Sequence, residues 1–233
     1  MMKFNFILPA FLSGLLFASA SHAGVSIGGT RLIFPGDKKE VSLTVANSDK
    51  GSPVLIQSWV DEGENSKVKA PFIVTPPLFR LDPGKENILR AVRTGGKLAE
   101  DRETLYWLNI KSIPSAKKSE VQSNVLQLAI KNRLKFIYRP NSVVGSPEEN
   151  ANKLVWKRIG NQIQATNPTP FYMNLSMLVI GGKTYSPSLP EQTYIAPRSV
   201  RLYNIPSGTS NNNVKWKVIN DYGGAGEEFS ATF

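Results

Sequence analysis

The sequence predicts an all-β protein made of two β-sandwiches. Short stretches of alternating apolar and polar residues recur along almost the whole chain, as expected for half-buried strands. Turn residues, mostly Gly, Pro and Asn, separate these stretches at short and regular intervals. A polar stretch at residues 143–152 divides the pattern into two halves of about 100 residues each, the size of an immunoglobulin-like sandwich.

The first 23 residues are expected to be a secretory signal peptide. Lys3 gives a positive start, an apolar run follows at residues 6–18, and Ser21 and Ala23 offer small side chains before a cleavage site. The apolar run is shorter than the ~20 residues that a membrane-spanning helix needs. We therefore predict cleavage after Ala23 and an exported, soluble mature chain with no membrane insertion.

The first predicted domain covers residues 24–142. Gly28 and Gly29 fall between two strand-like stretches and indicate a bulge or a bend. Pro76 and Pro77 exclude an ordinary central strand at residues 72–81, because proline removes donors from the sheet. The remaining strand-like stretches of this half lie at residues 25–27, 30–34, 41–45, 54–60, 87–93 and 105–110.

The second predicted domain covers residues 153–233, after a linker at residues 143–152. Its strand-like stretches lie at residues 153–158, 162–166, 172–180, 194–196, 199–204, 214–220 and 228–233. Large aromatic side chains dominate protein cores. We therefore interpret the tryptophans of both halves as core residues; they are Trp59, Trp107, Trp156 and Trp216.

Composition excludes much of catalytic chemistry. The chain has no Cys, and its one His, His22, lies in the predicted signal peptide. Catalytic triads, Cys nucleophiles and His or Cys metal sites are therefore excluded from the mature chain. No phosphate loop, dinucleotide fingerprint or Asp-rich calcium loop is found. We expect no enzyme, no metal and no cofactor. The net charge of +10 is spread along the chain, so no nucleic-acid partner is expected.

The stretch at residues 123–140 is the most informative in the chain. Leu126, Leu128 and Ile130 alternate on one face, and a basic, aromatic run closed by Pro140 follows. Alternation alone predicts that the three apolar side chains are buried in their own sheet. Lys135 has the opposite parity, so either it faces away from the apolar row or a bulge falls near residues 131–133.

Four motifs resemble the PapD-like family of periplasmic pilus chaperones. They are NVLQLA at 124–129 with Lys135 and YRP at 138–140, VTPP at 74–77 with RL at 80–81, NPTPFY at 167–172, and INDYG at 219–223. The resemblance implies two immunoglobulin-like domains in a boomerang arrangement with a cleft between them. It also implies a periplasmic chaperone that lends a strand to pilus subunits and delivers them to an outer-membrane usher.

The resemblance also implies roles for particular residues. Those filling the open groove of the subunit would be Leu126, Leu128 and Ile130; those binding its C-terminal carboxylate would be Arg31 and Lys135; and a charged cluster tying the domains together would be Glu103, Arg139 and Asp221. The loop at residues 113–122 resembles that of the short-loop members. The exposed donor strand could also support self-association of the free protein.

Two other functions are compatible with an exported β-sandwich. A carbohydrate-binding protein would use surface Trp and Tyr residues and would not need Arg31 or Lys135. A glycosidase that uses only carboxylates would need paired Asp or Glu residues in a groove. The acidic residues of this chain are scattered, which makes the glycosidase the weakest of the three hypotheses.

Overall fold

The computed structural model describes residues 24–64, 66, 68–115 and 128–233. The strands of the first half are β1 (Val25–Ile27), β2 (Arg31–Pro35), β3 (Glu40–Asn47), β4 (Val54–Asp61), β5 (Phe72–Thr75), β6 (Leu78–Leu81), β7 (Glu86–Arg93), β8 (Thr104–Pro114) and β9 (Ile130–Arg139). Those of the second half are β10 (Val155–Ile159), β11 (Gln162–Asn167), β12 (Met173–Ile180), β13 (Lys183–Thr184), β14 (Tyr194–Ile195), β15 (Ser199–Asn204), β16 (Asn213–Ile219) and β17 (Ala225–Thr232). Within the described residues there are two one-turn 3₁₀ helices, Ala151–Lys153 and Pro190–Thr193.

The predicted all-β class with two sandwich domains is confirmed, and each half has its own core. In the first half, one sheet has the order β1-β3-β7-β5 and the other β2-β9-β8-β4-β6. Aromatic rings fill the space between them, with the Phe72 ring centroid 5.0 Å from that of Phe34 and 4.7 Å from that of Phe136. No helix among the described residues is long and apolar enough to cross a membrane.

The bend predicted at Gly28 and Gly29 is where the chain passes from one sheet to the other. Before it, β1 pairs antiparallel with β3; after it, β2 pairs in parallel with β9. A Cβ on Gly28 would lie 3.3 Å from the Thr44 carbonyl oxygen, which is closer than most side chains come. The bend therefore brings Arg31, the first residue of β2, next to Lys135 of β9.

The prolines at 76 and 77 mark a second passage between sheets. Strand β5 ends at Thr75 and pairs with β7, whereas β6 begins at Leu78 and pairs with β4. Both prolines lie between the strands, where no ladder donor is needed. The prediction that residues 72–81 do not form one central strand is confirmed.

The second half packs a three-stranded sheet, β10-β11-β15, against β13-β12-β16-β17. Trp156 and Trp216 meet in its core, with ring centroids 5.3 Å apart. Trp216 Nε1 donates a hydrogen bond to the Ala151 carbonyl oxygen at 3.0 Å, and Val143 and Ala151 are buried in the same core. The predicted linker thus packs on the second domain, and the exact domain boundaries stay a prediction.

The interpretation of all tryptophans as core residues is wrong for two of them. Trp59 and Trp107 are half-buried and lie outside both cores. On β8, Tyr106 and Leu108 point into the sandwich, so Trp107 between them points to the outer face of the sheet. A tryptophan on a strand is therefore buried in the core only when it lies at a position whose side chain points to the inward face.

Candidate functional site

Strand β9 is regular over its whole length. Its pairing with β8 runs without a register shift from Ser112↔Ile130 to Thr104↔Tyr138. Successive side chains therefore alternate between the two faces, and no bulge separates Ile130 from Lys135. Of the two possibilities left by the sequence, the structure supports the one in which Lys135 faces away from the apolar row.

Side chains on the inward face of β9 are exposed at the N-terminal end of the strand and buried towards its C-terminal end. Leu134 and Phe136 are 6% and 0% exposed, because the opposite sheet covers them. Ile130, the first residue of β9, and Leu128, two residues before the strand, have the same parity but are 63% and 66% exposed. The expectation that alternation alone would bury these two side chains is wrong, since they lie beyond the covered part of the core. Leu126, the third member of the predicted row, lies outside the described residues.

Arg31 and Lys135 are neighbours across the parallel pair β2 and β9. The Lys135 Nζ atom donates a hydrogen bond to Thr193 Oγ1 at 3.0 Å and lies 4.9 Å from the centroid of the Tyr194 ring. Thr193 and Tyr194 belong to the second sandwich, so the pair lies where the two domains meet. Arg31 Nε is buried and has no hydrogen-bond partner among the described residues.

Burial disfavours the charged form of both cations. Burial, with the neighbouring charge of Arg31, lowers the pKa of Lys135 to about 8. Burial also lowers the pKa of Arg31, although the nearby charges of Asp221 and Glu103 oppose the change. Partly dehydrated cations side by side are unfavourable unless an anion joins them. The pair therefore has the geometry and charge of an anion site.

Arg139 joins carboxylates from both domains. Its Nε donates to Glu103 Oε1 at 2.7 Å, and its two terminal nitrogens donate to the two oxygens of Asp221, each at 2.7 Å. This bidentate arrangement is the strong form of an arginine–carboxylate contact. The guanidinium carbon also lies 5.2 Å from the centroid of the Phe171 ring. The three charged residues singled out in the sequence thus meet at one point.

Glu103 is the most buried member of this group, with its side chain 1% exposed. Its Oε2 accepts a hydrogen bond from the Tyr172 backbone nitrogen at 2.6 Å, and its own nitrogen donates to the Pro170 carbonyl at 2.9 Å. Burial raises the pKa of Glu103, and the charge of Arg139 opposes this. Burial lowers the pKa of Arg139, but hydrogen bonds and the charges of Asp221 and Glu103 outweigh it and raise that pKa.

Asp221 is presented by a tight turn at residues 220–224. Asn220 Oδ1 accepts a hydrogen bond from the Gly224 nitrogen at 2.8 Å and so closes the turn. Gly223 has φ +91°, and a Cβ on it would lie closer than 3.0 Å to the Thr30 side chain. Because Thr30 directly precedes β2, this turn of the second domain packs beside the strand that begins at Arg31.

A second charged group lies on the same outer face of the first domain. The Arg133 guanidinium carbon lies 4.5 Å from the centroid of the Trp107 ring, and its Nη2 lies 3.6 Å from Asp61 Oδ1. Asn109 Nδ2 and Trp59 Nε1 donate to Asp61 Oδ2 at 2.8 and 3.1 Å. The ring face of Trp107 is thus covered by arginine, which disfavours a sugar-stacking role.

Sequence reasoning missed Thr193, Tyr194 and Arg201. These residues follow or lie near the short helix at Pro190–Thr193 in the second domain, and no pattern in that stretch marks them as a site. They are recognisable only after folding, when Tyr194 contacts Lys135 of the other domain. Among the described residues, no group of three acidic, His or Cys side chains is placed to hold a metal ion.

Comparisons with known proteins agree with this architecture. Residues 24–144 match the family described as "Pili and flagellar-assembly chaperone, PapD N-terminal domain", and residues 149–230 match "Pili assembly chaperone PapD, C-terminal domain". The chaperone protein FocC of Escherichia coli is 40% identical over 223 residues, which cover 95% of each chain.

Solved structures give the same result. The E. coli chaperone DraB is 44% identical, with a TM-score of 0.77 over 90% of this chain and 98% of its own. A Salmonella enterica SafA pilin in complex with the SafB chaperone matches with 38% identity and a TM-score of 0.81, over 90% of this chain and 96% of the matched chain.

Proposed function

Because this chain belongs to the family of PapD-like pilus-assembly chaperones, we propose that it binds pilus subunits by lending them the exposed end of β9. The family is one of chaperones rather than enzymes. One observation carries the proposal: Leu128 and Ile130 have the parity of the core residues of β9 but are 66% and 63% exposed. The SafA–SafB complex is a precedent for a chaperone of this fold bound to a pilin.

The energetics support a partner at this position. Large apolar side chains in a row on a strand invite pairing with another chain, and a protein without a partner would normally avoid them. Burying Leu128 and Ile130 in a subunit contributes roughly 1.5–3 kcal/mol for each side chain before ordering costs. Backbone pairing along the strand adds hydrogen bonds in the manner of β-strand addition. Leu126 extends the proposed row by one more side chain.

We expect Leu128→Glu to abolish capture of subunits and to leave the melting temperature of the free protein almost unchanged. The side chain is mostly solvated in the free state, so a charge there costs little, whereas a carboxylate in an apolar groove is strongly unfavourable. Co-purification with a subunit encoded in the same genomic cluster measures capture, and a thermal melt measures stability.

The matched control is Leu134→Glu, at a position of the same parity inside β9 that is 6% exposed. This variant should lose several kcal/mol of stability, because it buries a charge in the core. A large loss of stability in Leu128→Glu would show that Leu128 is a core residue and would contradict the proposal.

We propose further that Arg31 and Lys135 bind the C-terminal carboxylate of the subunit. Arg31 Nε lacks a partner, and the pKa of Lys135 is lowered to about 8, so both groups gain from an anion. Arginine can hold a carboxylate through two hydrogen bonds, and lysine adds a point charge. The cluster of Glu103, Arg139 and Asp221 then holds the domains at the angle that forms this site.

Arg31→Ala and Lys135→Ala should each reduce the recovery of subunit complexes at least tenfold, since a charge-assisted hydrogen bond contributes about 1.5–3 kcal/mol. The measurement is co-purification of a tagged subunit with each variant, normalised to the amount of chaperone. The control is Arg80→Ala, which removes a surface arginine whose side chain is 69% exposed. Recovery equal to wild type in both cleft variants would exclude the anchor.

The remaining features are proposed from family membership and sequence. The protein is exported to the periplasm and loses its signal peptide after Ala23. It delivers subunits to an outer-membrane usher, where the N-terminal strand of another subunit displaces β9. The short loop before the donor strand suggests the short-loop kind, and free protein could self-associate through β9.

A further inference from the structure

Lys135 shares its aromatic neighbour with another cation. The guanidinium carbon of Arg201 lies 5.5 Å from the centroid of the Tyr194 ring, and Lys135 Nζ lies 4.9 Å from the same centroid. Lys135 comes from the first domain, and Tyr194 and Arg201 come from the second. The ring therefore links the proposed anchor to an arginine on the other side of the domain junction.

Arg201 is half-buried but incompletely bonded. Its Nε is fully shielded from solvent, and it has no hydrogen-bond partner among the described residues. Nor does Arg201 form an ion pair within that part of the chain, unlike Arg198, which pairs with Asp101. Buried polar groups in proteins are nearly always bonded. A shielded donor on a partly exposed cation indicates that its acceptor comes from another molecule.

The position of Arg201 on β15 explains why the sequence does not reveal it. The residue lies opposite Ala165 of β11 and has the same parity as Tyr203, which is 1% exposed in the core. It therefore occupies an inward position of the strand, where an apolar residue is expected. An arginine at such a position must have partners for its charge and its donors. The ring of Tyr194 contacts only one face of its guanidinium.

Arg201 lies on the second domain, on the Tyr194 ring that Lys135 also contacts, whereas Arg31 and Lys135 are paired on the first domain. Apart from burial, the group that lowers the pKa of Lys135 is Arg31, and Arg201 makes no comparable contribution. One carboxylate offers two oxygens, and the donors of Arg31 and Lys135 can already satisfy both. A third cation beside that pair, on the other domain, is available for a further acceptor.

We propose that Arg201, held against Tyr194, is a specificity-determining residue that binds an acceptor oxygen in the residues just before the C-terminal carboxylate of the subunit. This inference rests on the proposed function, in which the carboxylate itself lies at Arg31 and Lys135. The acceptor is a backbone carbonyl or a polar side chain of that segment. Subunits that lack a suitable acceptor there are bound less tightly by this chaperone.

The test uses the mature chain and a fluorescent synthetic peptide with the C-terminal strand sequence of a subunit from the same genomic cluster. The peptide is made with a free acid and with an amide at its C-terminus, and Kd is measured by anisotropy. We expect Arg201→Ala to weaken the binding of both peptides about tenfold, the scale of one charge-assisted hydrogen bond. Arg31→Ala should weaken only the acid form.

Matched variants separate the role of Arg201 from charge and folding. Arg158→Ala removes an exposed arginine of the same domain and should leave Kd unchanged. Tyr194→Ala removes the ring that holds Arg201 and should lose about as much affinity as Arg201→Ala. A thermal melt of each variant shows whether it is folded, and Arg201→Lys, which keeps the charge, provides a second measurement if Arg201→Ala is not.

The outcomes distinguish the two proposals. Loss of affinity for the acid peptide alone would mean that Arg201 shares the terminal carboxylate, and it would overturn the second-acceptor inference. Unchanged Kd for both peptides in Arg201→Ala would overturn it as well. If Arg31→Ala also bound the acid peptide like wild type, the anchor in the proposed function would itself be wrong.

Discussion

We expect Arg139→Ala to lower the free energy of unfolding by about 3 kcal/mol at pH 7. Arg139 bonds Glu103 and Asp221 at 2.7 Å, and the Glu103 side chain is 1% exposed. Removing the cation leaves a buried carboxylate without its counter-charge. Urea unfolding of the wild type and the variant measures the difference.

This loss should depend on pH in a defined direction. Burial already raises the pKa of Glu103 in the folded state, and without Arg139 only the hydrogen bond from the Tyr172 nitrogen still opposes that rise. A carboxyl group with a raised folded pKa destabilises the fold when it is ionised, and the cost disappears as pH falls through that pKa. The difference in the free energy of unfolding between Arg139→Ala and wild type should therefore become smaller as the pH falls from 7 to 5.

The matched control for this prediction is Arg80→Ala. Arg80 Nε also lies 2.7 Å from a carboxylate, that of Asp82, but the two side chains are 69% and 57% exposed. An exposed pair of this kind contributes about 0–1 kcal/mol. The double variant Arg139→Ala with Glu103→Gln should recover part of the loss. Equal effects of Arg80→Ala and Arg139→Ala would show that burial of the cluster has no energetic consequence.

Replacing Lys135 should raise the stability of the free protein and lower its affinity for subunits. We expect Lys135→Met to make the free protein more stable by about 1 kcal/mol at pH 7, after allowance for the partial exposure of the side chain, and to abolish subunit binding. Burial and Arg31 lower the pKa of Lys135 from 10.5 to about 8, so the charged lysine destabilises the free protein. Methionine fills similar space without that cost.

The pH dependence follows from the same shift. Between about pH 8 and pH 10.5, the unfolded chain holds a proton on this lysine that the folded chain has released. The wild type therefore becomes more stable relative to Lys135→Met as pH rises through this range, and the advantage of the variant disappears near its upper end. Subunit affinity of the wild type should fall over the same range, because a neutral lysine does not attract a carboxylate.

Lys131→Met provides the control, on the same face of the same strand. Lys131 pairs with Glu64 at 3.0 Å on the surface, with side chains 41% and 59% exposed. Its removal should change stability by less than about 1 kcal/mol. A loss of stability in Lys135→Met at pH 7 would mean that the contact with Thr193 outweighs the cost of burying the charge.

Much of the fold could be predicted from local chemistry. Alternation located most strands, and Gly28, Gly29, Pro76 and Pro77 marked the two places where the chain changes sheets. Such signals are local, because a bend needs small residues or prolines whatever surrounds it. Burial is not local. Leu128 and Leu134 have the same side chain and the same parity, and only the extent of the opposite sheet separates 66% from 6% exposure.

The candidate site shows the same division. The cluster of Glu103, Arg139 and Asp221 could be named from sequence only through the family resemblance, since Arg139 and Asp221 lie in the motifs at 138–140 and 219–223 and Glu103 lies in none of the four. Arg201 and Tyr194 could not be named, since their meaning depends on contact with Lys135 across the domain junction. A cation at an inward strand position can be identified as unusual only after the inward face is known.

The unbroken register of β9 fixes the distance between Lys135 and the exposed side chain of Ile130. Ile130 and Lys135 are separated by five residues without a bulge, about 17 Å at ~3.3 Å per residue. In the proposed complex, the C-terminus of the subunit is bound at Lys135. The apolar groove of the subunit must then lie at that same distance from its C-terminus to receive Ile130. A subunit one residue longer or shorter between these points would turn its groove away from the apolar row. The chaperone would thus measure the ends of its subunits as well as their shape.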